Sequence, residues 1–330
     1  MKTVPAELLD FIRTGSKFLI AGHTEEDGDC VGSELALCSI LRRLGKEAIP
    51  CSSGPFKRTE IKPYEKFFRT GIDIKTLVGA RLIITDCGGL DRTGDLAPFL
   101  KGLPAAIIDH HKSNAALQKS EGNPIYICED SPSVTLMILN LIDALDLELL
   151  GEEAEYLLFG LCTDTGFFRH TDTGNAETFE AAARLTRAGA SPKKVYELIY
   201  GGKSLGSRIL LGHILGRTEA YFNGKLLLST EEYEETQTFG AEGRDSDVMY
   251  QLLQSVKGAE AVVVISQKNP DRCNIGLRSR SDIDVAAIAK RLGGGGHKNA
   301  AGAVNDGSIE ETKIKILELF GETGSFSKLG

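Results

Sequence analysis

Residues 18–45 read FLIAGHTEEDGDCVGSELALCSILRRLG. The opening apolar run, Phe18 to Gly22, has the look of a short strand buried in a sheet. An acidic turn follows. From Gly32 onward, Leu35, Leu37, Ile40, Leu41 and Leu44 recur at near-helical spacing, with Gly45 as a stop. Glu47 to Cys51 then resembles a second strand. Strand, polar turn, helix and strand together predict a parallel βαβ unit.

The same grammar continues along the chain. Arg81 to Thr85 and Ala105 to Ile108 are further short apolar runs, and beyond Ser133 the pattern becomes helical over Val134–Leu147, Glu152–Cys162 and Ala176–Ala188. An α/β fold with a parallel sheet is therefore expected over residues 1–188. Glycines and lysines surround short helical stretches such as Lys193–Tyr200 in residues 189–216, which read as a helical linker. Residues 217–330 open with Ala220–Phe222 and Lys225–Ser229 around Asn223-Gly224, a strong hairpin signal. Strands over Ala261–Ser266 and Cys273–Arg280, a helix over Val285–Leu292 and the glycine-rich stretch Gly293–Gly302 complete a smaller α/β domain.

At 330 residues the chain is long for one core, which favours two domains. Its seven cysteines form no CxxC pair, against a zinc ribbon or a disulfide scaffold. With a bland amino terminus and no apolar run of membrane-spanning length, a cytoplasmic protein without membrane association is expected. The net charge is −8, with no run of lysines and arginines. A nonspecific grip on long nucleic acid would need a basic face. Any nucleic-acid substrate should be short.

Four clusters carry the chemistry. They are His23-Thr-Glu-Glu-Asp27-Gly-Asp29, Asp86-Cys-Gly-Gly, Asp109-His110-His111 and Thr163-Asp164-Thr165-Gly166. The first three directly follow apolar runs, and residues beyond the carboxyl ends of strands converge on the crevice of an open α/β sheet. Each cluster also has a plainer reading. An acidic loop can cap the next helix, Asp86 can be a turn residue, and Asp164 can simply end a helix. Three clusters at three strand ends favour a common site. Oxygen donors with two imidazoles suit Mn²⁺, with Mg²⁺, Co²⁺, Fe²⁺ or Zn²⁺ as competitors. Two such ions about 3.5–4 Å apart are a known device for hydrolysing phosphate esters.

The set HxxxDGDxxGS, DCGG, DHH and TDTG resembles the motifs of the DHH phosphoesterase superfamily, which includes the RecJ exonucleases. GGGGHKNAAG resembles the signature of its DHHA1 substrate-binding domain. The short two-domain layout is similar to the NrnA-type subgroup, oligoribonucleases (nanoRNases) that also act on 3′-phosphoadenosine 5′-phosphate. The resemblance implies a catalytic domain over 1–188, a DHHA1 domain over 217–330 and an active site in the cleft between them.

The resemblance also implies residue roles. His23, Asp27 and Asp86 would hold one Mn²⁺, and Asp29, Asp86, His110 and Asp164 the second, with Asp86 bridging. Asp109 would orient His110, and His111 would face the scissile phosphate. Arg278 and Ser279, with Gly295, Gly296, His297 and Lys298, would clamp a terminal phosphate. Arg92 is expected near the site, and Arg169 has a like claim, although a surface arginine is the simpler reading of each. Glu25-Glu26 departs from the family, which usually places a proline before the first aspartate, and two extra carboxylates there could weaken binding of an anion.

The implied activity is hydrolysis of short RNA or DNA oligonucleotides, 5′-phosphorylated dinucleotides or mononucleotide bisphosphates. Hydrolysis of polyphosphate, pyrophosphate or cyclic dinucleotides, and a catalytically silent nucleotide-binding regulator, are the alternatives. Homodimer formation is left open.

Overall fold

The computed structural model describes residues 3–111, 123–240, 244–280, 282–323 and 326. The chain divides into two compact units, 1–201 and 202–330. In the first, α1 (Ala6–Thr14) precedes β1 (Lys17–Ala21), α2 (Gly28–Arg43) and β2 (Glu47–Cys51). A 3₁₀ segment over Lys62–Phe67 and the single-turn helix α3 (Ile74–Leu77) lead to β3 (Ala80–Thr85). A second 3₁₀ stretch, Leu90–Leu96, and α4 (Ala97–Leu100) lead to β4 (Ala105–Asp109) and β5 (Ile125–Ile127). Four longer helices follow: α5 (Val134–Ala144), α6 (Gly151–Asp164), α7 (Ala176–Arg187) and α8 (Pro192–Tyr200).

The five strands are parallel, in the order β2-β1-β3-β4-β5. The chain leaves β1 toward β2 and then returns to the other side at β3, so the winding reverses between β1 and β3. Their carboxyl ends therefore flank the crevice in which such sheets hold ligands. Strand alternation divides the core. Phe18, Ile20, Ile83, Ala106 and Ile108 face the larger cluster, and Leu19, Ala21, Leu82, Ile84 and Ile107 the smaller one on the opposite face.

Helix α2 begins at Gly28, four residues before the expected start at Gly32. The Asp27 carboxylate accepts from the backbone N–H of Asp29 at 3.0 Å and of Cys30 at 3.1 Å, and this cap draws the acidic turn into the helix. Every residue from Gly28 to Cys38 is buried. Glycines make this helix's close packing feasible. A Cβ on Gly32 would lie 2.5 Å from the Tyr156 carbonyl oxygen, and one on Gly160 would lie 2.4 Å from Thr135 Cγ2 and 3.0 Å from Asp29 Cα. Without those two glycines, α2, α5 and α6 could not approach so closely.

In the second unit, α9 (Leu205–Gly216) precedes β6 (Glu219–Tyr221), β7 (Leu226–Glu231), α10 (Tyr233–Phe239), α11 (Ser246–Gln254), β8 (Ala261–Asn269) and β9 (Arg272–Ser279). Then come α12 (Val285–Arg291), β10 (Gly295–His297), β11 (Ala300–Asp306) and α13 (Ile309–Gly321). The sheet order is β10-β11-β9-β8-β7-β6, with β7 and β8 parallel and the other neighbours antiparallel. The β6–β7 hairpin pairs Tyr221 with Leu226 across a four-residue loop, in which Phe222, Asn223 and Gly224 have left-handed φ angles of 52°, 57° and 84°. The glycine-rich stretch is partly a strand: Gly295, Gly296 and His297 pair with Gly302, Ala301 and Ala300. No helix among the described residues is long and apolar enough to cross a membrane.

Gly160→Ala is expected to lower the stability of the first unit by about 1–3 kcal/mol through overpacking and to weaken divalent-cation binding by displacing Asp29. Gly45→Ala, at φ 74° but with open space around the new methyl, should cost only backbone strain and leave cation affinity unchanged. Urea unfolding with and without Mn²⁺ checks both. Equal cation affinity in the two variants would sever the link between helix packing and the site.

Candidate metal centre

Each of the four clusters is delivered by a structural element of the first unit. His23 and Asp27 lie on the turn between β1 and α2, and Asp29 is in the first turn of α2. Asp86 immediately follows β3, Asp109 ends β4 with His110 and His111 next, and Asp164 is the last residue of α6. Asp86 adopts a left-handed φ of 58°, unusual for an aspartate at the end of a strand. Its N–H donates to the Ile108 carbonyl at 3.0 Å, which ties the ends of β3 and β4 together.

The six side chains expected as ligands are neighbours. His23 Nε2 lies 3.5 Å from Asp86 Oδ2 and 3.8 Å from Asp27 Oδ2. His110 Nε2 lies 3.5 Å from Asp86 Oδ1 and 3.2 Å from Asp164 Oδ2. Asp29 is fully buried, and its two oxygens accept from the backbone N–H of Val134 at 2.6 Å and Thr135 at 2.9 Å, at the amino end of α5. Ligand atoms of Asp29, His110 and Asp164 all lie within 4.8 Å of one another, as do those of Asp86, His110 and His111, and those of His23, Cys30 and Asp86. Asp86 and His110 are thus each shared between two groupings.

Two backbone carbonyls set the imidazoles. His23 Nδ1 is 2.8 Å from the Thr24 carbonyl and His110 Nδ1 is 3.0 Å from the Ser131 carbonyl. A carbonyl can only accept, so each Nδ1 carries a proton and donates it, while each Nε2 faces carboxylates. That tautomer is the usual one for a metal-binding histidine.

The structure pairs Asp109 with the second histidine. The Asp109 Oδ1 accepts from His111, at 2.9 Å from Nδ1 and 3.1 Å from the backbone N–H. The chain bends after β4, and the Asp109 carboxylate closes that bend on the N–H two residues on, which brings it to the second histidine. That contact raises the His111 pKa above its ordinary value. His111 is also half exposed, with 56% of its side-chain surface accessible.

The electrostatics of the cage are dominated by burial. Asp86 is held well above the usual carboxylate range, first by desolvation and then by Asp29, Asp27, Asp164 and Asp109 around it. Asp29 is raised by desolvation against the lowering effect of His110 and its two backbone donors. Asp164 is pushed up to about 9, again mainly by desolvation. Asp86 Oδ1 is buried without a hydrogen-bond partner. Crowded carboxylates, an orphaned buried oxygen and two imidazoles presenting Nε2 fit divalent cations, which would supply the positive charge that the protein leaves out.

The Glu25-Glu26 departure is electrostatically mild. Glu25 is exposed and pairs with Lys57 at 2.9 Å. Glu26 is buried, and desolvation raises its carboxyl to about 7, with a hydrogen bond to Ser52 opposing.

Two further residues lie near the cage: Cys30, which the sequence places in ligand register beside a carboxylate, and Arg58, which the motif reading passed over. Cys30 Sγ falls in the His23 and Asp86 grouping, although burial among acids drives its thiol pKa up. Arg58 bears electrostatically on both Asp164 and Glu25. The available signal was position: Lys57-Arg58 follows the carboxyl end of β2, on the crevice side of the sheet by the same strand-end rule. Arg92 is exposed, and its carbonyl accepts from the Thr24 N–H at 2.8 Å. Arg169 is exposed beside His170, with Nη2 3.1 Å from its Nε2.

The other expected substrate residues lie in the second unit. Arg278 stacks its guanidinium over the Tyr250 ring at 4.5 Å. The Ser279 hydroxyl is buried and engaged with the Ile283 carbonyl at 2.8 Å and Asn299 Oδ1 at 3.2 Å. Lys298 reaches Asp282 at 3.1 Å, and both side chains are exposed. Gly295, Gly296 and His297 are exposed along β10. A side chain at Gly296 would meet Ala300 O at 2.5 Å, so this strand lies against β11 as only glycine allows.

A parallel α/β unit with a buried acid and imidazole cage at its switch point defines the class of a metal-dependent hydrolase. Residues 17–161 match the model of the DHH family, N-terminal domain, and residues 225–323 match that of the DHHA1 domain. The chain is 31% identical over 305 residues to the bifunctional oligoribonuclease and PAP phosphatase NrnA of Thermus thermophilus, covering 91% of this chain and 87% of that protein. It is 25% identical over 333 residues to the cyclic-di-AMP phosphodiesterase PdeA of Listeria monocytogenes, of which it spans 49%. The crystal structure of an exopolyphosphatase-related protein from Bacteroides fragilis superposes with a TM-score of 0.80 at 21% identity, covering 94% of each chain, and shares the fold. The chain belongs to the DHH family of phosphoesterases and carries a DHHA1 domain.

The raised acids predict how the cation-free protein responds to pH. A carboxyl whose folded pKa lies above its unfolded value, here about 9 against 3.8 for Asp164, adds stability below pH 3.8 that is lost as pH rises toward 9. The melting temperature of chelator-treated protein should therefore fall between pH 5 and about pH 9, and the gain on adding Mn²⁺ should grow over the same interval. A Mn²⁺ gain independent of pH would contradict the assignment of these carboxyls to the cation site.

Proposed function

We propose that the protein is a two-metal phosphoesterase of short oligonucleotides, taking nanoRNA and 5′-phosphorylated dinucleotides, with 3′-phosphoadenosine 5′-phosphate as a second substrate. The observation that carries this reading is the buried carboxylate of Asp86 shared between His23 and His110. The similarity to an oligoribonuclease and PAP phosphatase over most of both chains supports the substrate class. The net charge of −8 agrees, since a short substrate offers few phosphates to neutralise.

On this reading His23, Asp27 and Asp86 hold one cation, and Asp29, Asp86, His110 and Asp164 the other. Mn²⁺ suits this set of hard oxygens and imidazoles, with Mg²⁺ or Co²⁺ as substitutes. When bound, the two ions would lower the pKa of an attacking water and neutralise charge on the phosphoryl oxygens. The residues of the chain do the rest. Asp27 caps α2 through one oxygen and offers the other to the cation. Asp29, anchored on two N–H groups of α5, fixes the floor of the cage. His111, held protonated on Nδ1 by Asp109, presents its exposed edge to the scissile phosphate and can give a proton to the leaving oxygen. The charge of Arg58 supplements the cage for an anionic substrate. In the second unit, Arg278, the β10 glycines, His297 and Lys298 grip the substrate's terminal phosphate, while Ser279 shapes the turn that presents them.

The deciding experiment is hydrolysis with Mn²⁺ of a 5′-phosphorylated dinucleotide, a 24-mer RNA, 3′-phosphoadenosine 5′-phosphate, cyclic di-AMP and polyphosphate. The dinucleotide should be cleaved fastest, and Asp86→Asn should lower kcat at least about 1,000-fold. Activity on polyphosphate or the cyclic dinucleotide alone would replace the substrate assignment. Binding without turnover of any of them would make the protein a nucleotide-binding regulator.

A second expectation concerns the terminal phosphate. His297→Ala should raise KM for the 5′-phosphorylated dinucleotide about 10-fold, roughly the value of one charge-assisted hydrogen bond, and should raise it far less for the 5′-hydroxyl form. Equal losses on both forms would remove the clamp.

A further inference from the structure

We infer that a ladder of aromatic rings beginning three residues beyond Asp164 is the stacking surface for a nucleobase of the substrate. This rests on the oligonucleotide reading above and assigns that substrate a binding surface in the first unit. Asp164 ends α6, and the chain then enters a left-handed turn: Gly166, Phe167 and Phe168 have φ angles of 57°, 56° and 69°. A glycine adopts such a conformation freely, whereas two consecutive phenylalanines do so against steric resistance. The turn is secured by N–H donation from Phe167 to the Cys162 carbonyl at 2.6 Å and from Phe168 to Thr165 Oγ1 at 3.1 Å.

The two rings are half-buried against the first unit's core and meet others that are more exposed. Phe168 stacks on Phe179 of α7 with centroids 5.3 Å apart and planes 29° from parallel. Phe167 meets Phe168 at 5.6 Å and Tyr196 of α8 at 5.3 Å. The outer members are open to solvent: Phe179 is 54% exposed and Tyr196 is 53% exposed. Helix α7 buries Thr178, Ala181 and Leu185, so Phe179 lies off its inward face. A single exposed phenylalanine is ordinary, but a contiguous ladder held by a strained turn is a binding surface.

Three observations identify the occupant. The ladder starts three residues past Asp164, on a turn whose Phe167 N–H donates to the Cys162 carbonyl of the same helix end that carries this expected ligand. The ladder's phenylalanine members carry no hydrogen-bonding group, and only Tyr196 and Tyr200 at its α8 end do, so recognition would be chiefly through ring faces, which every base offers. Exposed Arg169 follows Phe168 directly and brings a guanidinium for the phosphate beside a stacked base. Together these describe a base-tolerant subsite next to the scissile phosphate, which a hydrolase of short oligonucleotides of mixed sequence needs.

The test compares kcat/KM for a 5′-phosphorylated dinucleotide and for the same molecule lacking both bases, in the wild type and in Phe179→Ala, Phe168→Ala and Phe179→Trp. The ratio of base-bearing to base-free rates should fall about tenfold in each alanine variant and recover in Phe179→Trp. Because Phe179 is exposed, its replacement should fold even where loss of Phe168 disturbs the turn. An unchanged ratio in Phe179→Ala overturns the inference, as does a loss that sedimentation shows to track dissociation of a homodimer, which would make the ladder a contact between copies. Calorimetric binding of adenosine 5′-monophosphate against ribose 5-phosphate gives a readout that does not depend on turnover. If the wild type cleaved only polyphosphate, the oligonucleotide reading would fail. The stacking surface would fail separately if Phe179→Ala left the preference for adenosine 5′-monophosphate intact.

Discussion

Several carboxyl groups in one water-poor crevice cannot all ionise unless positive charge enters with them. Asp86 and Asp164 sit far above the ordinary carboxylate range and Asp29 is raised as well, and desolvation is the leading cause in every case. Much of the first unit's architecture maintains this crowding. The parallel sheet reverses its winding between β1 and β3, which sets His23 and Asp86 on either side of one crevice. The bond from Asp86 N–H to the Ile108 carbonyl keeps β4, and with it His110, in step. Helix packing supplies the remaining acids. Asp29 on α2 and Asp164 at the end of α6 meet around the same imidazole because glycines at 32 and 160 remove the side chains that would hold the helices apart.

The cage also shows how backbone groups finish what side chains begin. Asp27 caps its own helix with one oxygen. Asp29 is fixed by two N–H groups at the amino end of α5, where the unpaired donors and the helix dipole both favour a negative charge. Carbonyls of Thr24 and Ser131 choose the tautomer of both histidines. None of these partners needs a particular side chain. Such support comes from where the elements begin and end, and a motif read as letters does not display it.

This explains which parts of the protein were legible in the sequence. Apolar runs at β1, β3 and β4, the helical spacing of Leu35 to Leu44 and the Asn223-Gly224 turn each carry a local physical signal, and the elements form there. The acidic loop reads as a cap and Asp27 is one, but the leucine spacing puts the start at Gly32, because a helix buried nearly all round has no polar face to mark its first turn. The Asp109–His111 pairing comes from a bend just past β4 that the Asp109 carboxylate closes on the His111 N–H, a turn that the letters DHH do not display. The glycine-rich stretch reads as a loop by composition, and its pairing with β11 depends on residues that composition does not weigh. Arg58 lies on a loop with no motif, so only the strand-end rule pointed to it.

The aromatic ladder marks the other limit of sequence reading. Phe167 and Phe168 look like ordinary core residues in a list of letters, and nothing local to them forecasts a left-handed turn. Their conformation is imposed by the end of α6 and by neighbours 11 and 29 positions further on, Phe179 and Tyr196. The same helix end therefore has two consequences: Asp164 enters the buried cage, and the left-handed turn behind it sets two half-buried rings against the exposed rings of α7 and α8. Burial that raises the pKa of an acid and an exposed aromatic surface both cost stability. The acid's cost is recovered when a cation enters and the ring's when a flat apolar ligand covers it, so both point to a molecule bound at the end of α6 that carries phosphate and base together.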